Sequence, residues 1–124
     1  GRGAKRTIPL AVSAPFHCAL MKPAADRLAV ELAKIEIGPL AVPVVTNVEA
    51  EPNRDAARVR GLLTDQVTAP VRWEESVLRM AALGVTRAVE VGAGNVLAGL
   101  VKRIAPSITV VGAGDPASIQ GLAQ

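Results

Sequence analysis

The sequence predicts an α/β fold in which mostly parallel strands are flanked by helices. Short β-branched runs alternate with segments whose apolar residues recur at helical spacing. Half of the 124 residues are hydrophobic and the net charge is only +3, which is the composition of a chain with a packed core. Strands separated by helices pair in parallel through right-handed crossovers.

The first third of the chain predicts a strand, a loop and a helix. Residues 5–13 (KRTIPLAVS) indicate the strand. A loop is expected at residues 14–17, because a proline restricts the residue before it to extended geometry. The helix is expected to begin near Ala19 and to end at Gly38. Its predicted apolar face consists of Met21, Ala25, Leu28, Leu32 and Ile35.

The middle third predicts a buried strand and two helices. The β-branched run at residues 42–48 (VPVVTNV) indicates the strand. Asn53 is the expected N-cap of the first helix, and Gly84 is expected to end the second. The predicted inward faces are Ala56, Val59, Leu63 and Val67 in the first helix, and Trp73, Val77, Met80 and Ala81 in the second.

The last third predicts two strand–turn–helix units, each with the sequence VGAG at its turn. The first comprises a strand at 85–91, a turn at 92–94 and a helix at 95–104. The second comprises a strand at 108–111, a turn at 112–114 and a short helix opened by Asp115 and Pro116.

Composition excludes several kinds of function. With one histidine and one cysteine, the chain cannot build a Cys/His zinc site, which needs about four ligands. Dispersed basic residues and an aromatic content of 2% argue against nucleic-acid binding. No apolar run approaches the ~20 residues of a membrane span. The single cysteine, Cys18, forms no internal disulfide and fits a reducing compartment.

The two glycine-rich turns leave a nucleotide-binding hypothesis open. A phosphate binds the free N–H groups at a helix N-terminus, and glycine lets the backbone approach it. Neither turn completes the G-x-G-x-x-G fingerprint, however, and no P-loop lysine motif is present. The simpler interpretation is that these turns need glycine for a positive φ.

His17 is the strongest candidate for chemistry. It follows a predicted strand in a loop that opens a helix, where α/β proteins often place active residues. A neutral imidazole can accept and return a proton near neutral pH. None of the serines lies in a G-x-S-x-G motif. Cys18 is adjacent to His17, but consecutive side chains of an extended segment point apart, so Cys18 is interpreted as a small buried apolar residue.

Four blocks of sequence resemble malonyl-CoA:acyl carrier protein transacylases, in that family's order and spacing. They are residues 8–35 (IPLAVSAPFHCALMKPAADRLAVELAKI), 43–48 (PVVTNV), 62–85 (LLTDQVTAPVRWEESVLRMAALGV) and 89–104 (VEVGAGNVLAGLVKRI). The resemblance covers nearly the whole chain. It implies the C-terminal portion of an α/β-hydrolase-like acyltransferase core, spanning residues 1–124, without the portion that carries the G-H-S-x-G nucleophile.

The resemblance implies a role for two residues. In that family a serine attacks the malonyl thioester and a histidine accepts its proton. His17 matches that histidine, and Gln66 matches the residue whose backbone carbonyl orients it. The malonyl group passes from CoA to the phosphopantetheine thiol of acyl carrier protein, in the cytoplasm and for fatty acid biosynthesis. No cofactor and no metal are expected to bind.

The sequence departs from the family pattern at two positions. Phe16 stands where free-standing members often carry serine, so its ring is expected either to narrow the acyl pocket or to be a buried aromatic. Ala93 replaces a proline of the family's V-G-P-G turn. The short segment after the last predicted helix favours a free-standing enzyme.

The chain is therefore interpreted as half of a malonyl transacylase site, inactive alone because its serine is missing. Its expected partners are malonyl-CoA, acyl carrier protein and the absent N-terminal portion. The alternatives are a nucleotide-binding domain and a non-catalytic α/β module. The high apolar content predicts that the chain by itself exposes apolar surface.

Overall fold

The computed structural model describes residue 3 and residues 14–122. The strand predicted at residues 5–13 lies outside the described residues. Within that part of the chain no helix is both long and apolar enough to cross a membrane. The elements in chain order are a 3₁₀ helix (Ala19–Met21), α1 (Lys22–Ala33), β1 (Val44–Val45), β2 (Pro52–Asn53), α2 (Ala56–Asp65), α3 (Trp73–Ala82), β3 (Arg87–Val91), α4 (Val96–Ile104), β4 (Thr109–Ala113) and α5 (Pro116–Gly121).

A parallel strand pair confirms the predicted α/β class. β3 and β4 pair in parallel, with Arg87 opposite Thr109 and Val91 opposite Ala113. The connection between them contains α4, so these elements form the strand–helix–strand unit that the alternating pattern indicated.

The core lies between α3, α4 and one face of the parallel pair. The buried cluster consists of Val77, Val101, Ala105 and Ile108. Half-buried apolar side chains surround it, among them Trp73, Met80, Ala81, Ala88 and Val110. The inward face predicted for α3 is therefore confirmed. Gly84 follows α3 with a φ of 83°, which confirms its predicted role in ending the helix.

The opposite face of the parallel pair is not covered by the described residues. Val89, Val91 and Val111 are 48%, 82% and 36% exposed, and these three valines are called the open face below. Parallel sheets in folded proteins are usually packed on both sides. The open face is thus an apolar surface without a partner among residues 14–122.

The strand predicted at residues 42–48 is wrong in extent, in pairing and in burial. Only Val44 and Val45 are extended, and they pair antiparallel with Pro52 and Asn53. The chain reverses at Thr46, whose carbonyl accepts a hydrogen bond from the Ala50 amide at 2.9 Å. Val44 is 50% exposed. The β-branched run is therefore one arm of a short hairpin.

Three arginines from the helices hold the loop of this hairpin. The contacts include Arg58 Nη2–Glu49 Oε1 at 2.5 Å, Arg79 Nε–Glu51 Oε2 at 2.7 Å and Arg72 Nη1–Glu49 O at 3.0 Å. The other edge of the Arg72 guanidinium binds Glu75. That hydrogen bond lowers the pKa of Glu75. Exposed ion pairs contribute little to the free energy of unfolding, so the contacts position the loop more than they stabilise the fold.

α1 ends five residues before the predicted boundary. Its last residue is Ala33, and the amides of Lys34 and Ile35 bond three residues back, to Glu31 and Leu32. Such tightening of the last turn is common at helix ends. Ile35 is consequently 53% exposed, whereas Ala25 and Leu32 are buried as expected.

The start and the inward face predicted for α2 are also corrected. Asp55 is the N-cap, since its Oδ1 accepts a hydrogen bond from the Ala57 amide at 2.9 Å. Asn53 lies in β2, is 4% exposed, and bonds the backbone of Asp55 through its side chain. Leu63 is 36% exposed and Val67 lies beyond the helix, so neither residue forms a buried face.

The second glycine turn begins later than predicted. Gly112 and Ala113 belong to β4, where they pair with residues of β3. Asp115 caps α5 and Pro116 is its first residue, as expected. Asp115 and Ser118 form a reciprocal pair in which Asp115 Oδ1 accepts from the Ser118 amide at 2.8 Å.

This cap predicts acid sensitivity of α5. The hydrogen bond from the Ser118 amide lowers the pKa of Asp115. A carboxyl whose folded pKa is lowered stabilises the fold above its unfolded pKa, and this stabilisation disappears as pH falls through the folded pKa. We expect the Ser118 amide resonance to shift at a pH below the ordinary titration range of an aspartate. In Asp115→Asn the same resonance should be insensitive to pH, and an unchanged titration would contradict the assignment.

Candidate functional site

His17 lies in a tight turn between the first described residues and the 3₁₀ helix. The Phe16 amide donates to the Ala14 carbonyl at 2.9 Å, and the Met21 amide donates to the Cys18 carbonyl at 3.0 Å. The loop expected at residues 14–17 is therefore present. Its own backbone hydrogen bonds fix it against the start of α1.

The backbone of His17 is in the left-handed region, with a φ of 56°. Residues other than glycine occupy this region at a cost of about 1–3 kcal/mol, and such residues are frequent at functional sites. The surrounding hydrogen bonds offset that cost.

The imidazole of His17 is bonded to Gln66. Nδ1 lies 2.8 Å from the Gln66 carbonyl oxygen. Gln66 is the C-cap of α2, where a carbonyl has no partner within its helix. Because a carbonyl only accepts hydrogen bonds, Nδ1 must carry the proton. In the neutral ring this leaves the Nε2 lone pair free to accept another proton.

Cys18 does not share this arrangement. Its thiol donates to the Pro15 carbonyl at 3.1 Å, and the residue is half-buried rather than part of the apolar core. The expectation of a buried apolar residue is corrected accordingly. The thiol acts as a local hydrogen-bond donor within the turn.

The surface around His17 is open. His17 is exposed, Phe16 is 58% exposed and Leu20 is 74% exposed. The alternative that Phe16 is a buried aromatic is therefore wrong among the described residues. Both the Phe16 ring and the His17 imidazole are accessible to line a pocket whose remaining walls come from other residues.

The N-terminus of α4 is occupied by a carboxylate of the same chain. Glu90 Oε1 accepts from the Leu97 amide at 3.0 Å, and Oε2 accepts from the Ala98 amide at 2.8 Å. These are the free amides that a phosphate would need, which argues against nucleotide binding there. The sequence interpretation missed Glu90. The available signal was an acidic residue inside an apolar strand, two residues before a glycine turn.

The two glycine turns pack on each other. Gly92 and Gly94 have φ values of 128° and 95°, so the simpler interpretation holds for the first turn. Gly114 serves close approach instead, because a Cβ there would lie 2.9 Å from the Gly92 carbonyl oxygen. The Gly92 amide also donates to the Ala113 carbonyl at 3.2 Å.

We expect Gly114→Ala to destabilise the chain by about 1–3 kcal/mol, because the clash is with backbone that has little freedom to move. Gly112→Ala is the matched control, since a Cβ at Gly112 meets nothing within 4 Å. Urea denaturation of both variants measures the difference. Equal midpoints for the two variants would contradict the close-packing role.

No cluster of three or more His, Cys, Asp or Glu side chains suited to a metal ion occurs among the residues described. The groups brought together at the site are the His17 imidazole and the Gln66 carbonyl. This arrangement orients a proton acceptor. It contains no nucleophile bonded to that acceptor within residues 14–122.

Curated relatives match nearly the whole chain. It is 53% identical over 117 residues to the malonyl CoA-acyl carrier protein transacylase of Salmonella typhimurium, covering 94% of the chain and 38% of the relative. It is 44% identical over 118 residues to the protein of the same name from Bacillus subtilis strain 168, covering 95% and 37%. No protein-family model matches the chain.

Solved structures give the same result. An acyl carrier protein S-malonyltransferase from Vibrio cholerae is 46% identical with a TM-score of 0.88, over 97% of this chain and 39% of that one. A malonyl-transacylase solved in complex with a type II PKS acyl-carrier protein is 48% identical with a TM-score of 0.87, over 95% and 38%. The expected resemblance is confirmed, and the chain spans under two fifths of its relatives' length.

Proposed function

We propose that this chain is the histidine-bearing portion of a malonyl-CoA:acyl carrier protein transacylase of fatty acid biosynthesis. The observation that carries the proposal is the 2.8 Å contact between His17 Nδ1 and the Gln66 carbonyl. It leaves Nε2 as a free proton acceptor in a chain that is 53% identical to a malonyl transacylase over 117 residues. Proton transfer by an oriented histidine is the chemistry that acyl transfer to a serine requires.

In the proposed reaction His17 acts first as a base and then as an acid. Nε2 accepts the proton of a serine hydroxyl as its oxygen attacks the malonyl thioester carbonyl. The C–S bond then breaks, and the CoA sulfur leaves with the proton from Nε2. An acyl-serine remains. The phosphopantetheine thiol of acyl carrier protein gives its proton to Nε2, attacks the acyl-serine and releases the serine hydroxyl by the reverse path.

The Gln66 carbonyl supports both steps. It keeps the proton on Nδ1, so that Nε2 is the acceptor, and its partial negative charge favours the imidazolium formed in the transition state. Because the contact comes from the backbone, the identity of the residue 66 side chain matters less than the position of the end of α2.

We propose that the serine belongs to sequence outside these 124 residues, and that residues 1–124 are part of one acyltransferase domain. The chain contains no G-x-S-x-G motif and spans 38% of a relative's length. The open face supplies an apolar surface for the remaining portion, since a parallel sheet is usually covered on both sides. The isolated chain is therefore expected to be inactive.

The proposed partners are malonyl-CoA, a phosphopantetheinylated acyl carrier protein and the remaining portion of the enzyme, with no bound cofactor, in the cytoplasm. A similar malonyl-transacylase has been solved in complex with an acyl-carrier protein. Exposed basic residues of this chain, which has a net charge of +3, are available to attract an acidic carrier.

Reconstitution tests the proposed function. The chain is joined covalently to the remaining portion of a similar malonyl transacylase, and transfer of labelled malonyl from CoA to holo acyl carrier protein is followed. This joined protein is called the reconstituted enzyme below. We expect transfer by the reconstituted enzyme and none by either part alone. Transfer by the 124-residue chain alone at a comparable rate would refute the division of the site.

Phe16 is proposed to restrict the acyl group, because its ring is exposed at the residue that precedes His17. In the reconstituted enzyme, Phe16→Ser is expected to raise kcat/KM for methylmalonyl-CoA relative to malonyl-CoA by about tenfold or more, the discrimination that one methyl group supports. Leu20→Ser, which also alters an exposed apolar side chain, is the control and should leave the ratio unchanged. An unchanged ratio in Phe16→Ser would exclude this role.

A further inference from the structure

Helices α1 and α2 are joined by polar contacts at two places. At the first, His17 lies before α1 and bonds the residue that ends α2. At the second, Arg60 in the middle of α2 donates from Nε to the Leu32 carbonyl at 2.9 Å and from Nη2 to the Ile35 carbonyl. One contact is therefore at the start of α1 and the other at its end, so the two helices run in opposite directions.

The Arg60 contact suits the end of a helix. The last carbonyls of α1 lack the i+4 amides that the helix interior supplies, although the Leu32 carbonyl also accepts from the Ile35 amide at 3.2 Å. A guanidinium presents several donors in a rigid fork, which suits such carbonyls. Its positive charge is also favoured at a helix C-terminus. No carboxylate within residues 14–122 forms a salt bridge with Arg60, whereas Arg58, two residues earlier, pairs with Glu49.

Packing alone holds α2 only weakly. None of its residues is buried, although it packs against α1. Gln66 is six residues beyond Arg60, about 9 Å along a rigid helix. A contact that fixes Arg60 on α1 therefore also sets where the Gln66 carbonyl lies relative to His17.

On the basis of the function proposed above, we propose that Arg60 is a positioning residue for His17. By fixing α2 against the end of α1, it keeps the Gln66 carbonyl within hydrogen-bond distance of Nδ1. A displacement of about 1 Å in the direction of the bond would lengthen the 2.8 Å contact beyond useful hydrogen-bond range. Arg60 thus acts on the base through Gln66, without contact with the reacting atoms.

The single histidine of the chain allows a direct test. The imidazole is labelled with ¹⁵N, and NMR measures the ratio of the Nδ1–H to the Nε2–H tautomer in the neutral ring. In the wild-type chain the Nδ1–H form should dominate. In Arg60→Met the ratio is expected to fall about fivefold, the effect of losing one ordinary hydrogen bond. Arg58→Met, which removes the same charge from the same helix, should leave the ratio unchanged.

The outcomes separate this inference from the proposed function. A wild-type chain without the Nδ1–H preference would contradict the orientation of the base itself. A preference present in the wild type and unchanged in Arg60→Met would overturn only the role of Arg60. Far-UV circular dichroism confirms that each variant is folded. If Arg60→Met is not, Arg60→Gln keeps one donor and should shift the ratio in the same direction by a smaller amount, and an unchanged ratio there overturns the role equally.

Discussion

Replacing His17 with alanine is expected to lower malonyl transfer by the reconstituted enzyme about 10²- to 10⁴-fold, the usual contribution of a general base. The loss should fall on kcat, because the proton is transferred in the transition state and not when malonyl-CoA binds. The measurement is the rate at which malonyl-acyl carrier protein forms, determined from samples withdrawn at intervals, which can follow a rate change of this size.

Cys18→Ser is the matched control for that variant. The serine hydroxyl can still donate to the Pro15 carbonyl that the thiol contacts at 3.1 Å, while thiol chemistry is removed. Activity should be retained in Cys18→Ser. If transfer survived in His17→Ala and disappeared in Cys18→Ser, the assignment of the base would be wrong.

Val77→Asp is expected to abolish the folded state. Val77 is 0% exposed at the centre of the core cluster. An unpaired carboxylate there costs several kcal/mol, out of a total stability of about 5–15 kcal/mol for an ordinary domain. The cooperative unfolding transition and the dispersion of amide resonances should both be lost.

The neighbouring residue provides the control for the core. Leu78 is 48% exposed, so Leu78→Asp should change stability by about 0.5 kcal/mol or less. A milder core variant, Val77→Ala, should cost about 2 kcal/mol from lost burial and the cavity left behind. A cooperative, wild-type-like transition in Val77→Asp would show that the core lies elsewhere.

The sequence predicted the chain from α3 onward well, because that part depends on local signals. The helix ending at Gly84, the strand–helix–strand unit and the cap at Asp115 follow from helical periodicity, from the positive φ of glycine and from side-chain capping. Each of these acts within a few residues. The parallel pairing then follows from the helix between the two strands, because such a crossover brings the chain back to the end of the sheet where the first strand began.

The errors lie where distant contacts decide the structure. The run at residues 42–48 has strand propensity, yet the hairpin depends on a reversal at Thr46 and on arginines from two later helices. α1 has an apolar periodicity that continues to Ile35, but the carbonyl of Ile35 is bonded by Arg60 beyond the helix end. Neither residue propensity nor apolar periodicity reports these contacts from distant parts of the chain.

The residues of the candidate site also divide into those that local signals indicate and those that depend on contacts between distant parts of the chain. His17 could be selected from its own position, after a predicted strand and before a helix. Gln66 lies 49 residues later, and only the family resemblance indicated it. Every residue has a backbone carbonyl, so the residue type does not signal this role. Glu90, Arg60 and Arg72 were missed because their partners are backbone groups brought together by folding.

The parallel strand pair also has a kinetic consequence. Arg87 pairs with Thr109, a separation of 109 − 87 = 22 residues, which is short for a parallel sheet. Contacts of low sequence separation form quickly because the loop to be closed is small. β3, α4 and β4 are therefore expected to gain hydrogen-exchange protection first during refolding. They would then present the open face as a preformed apolar surface against which later-folding parts of the protein pack.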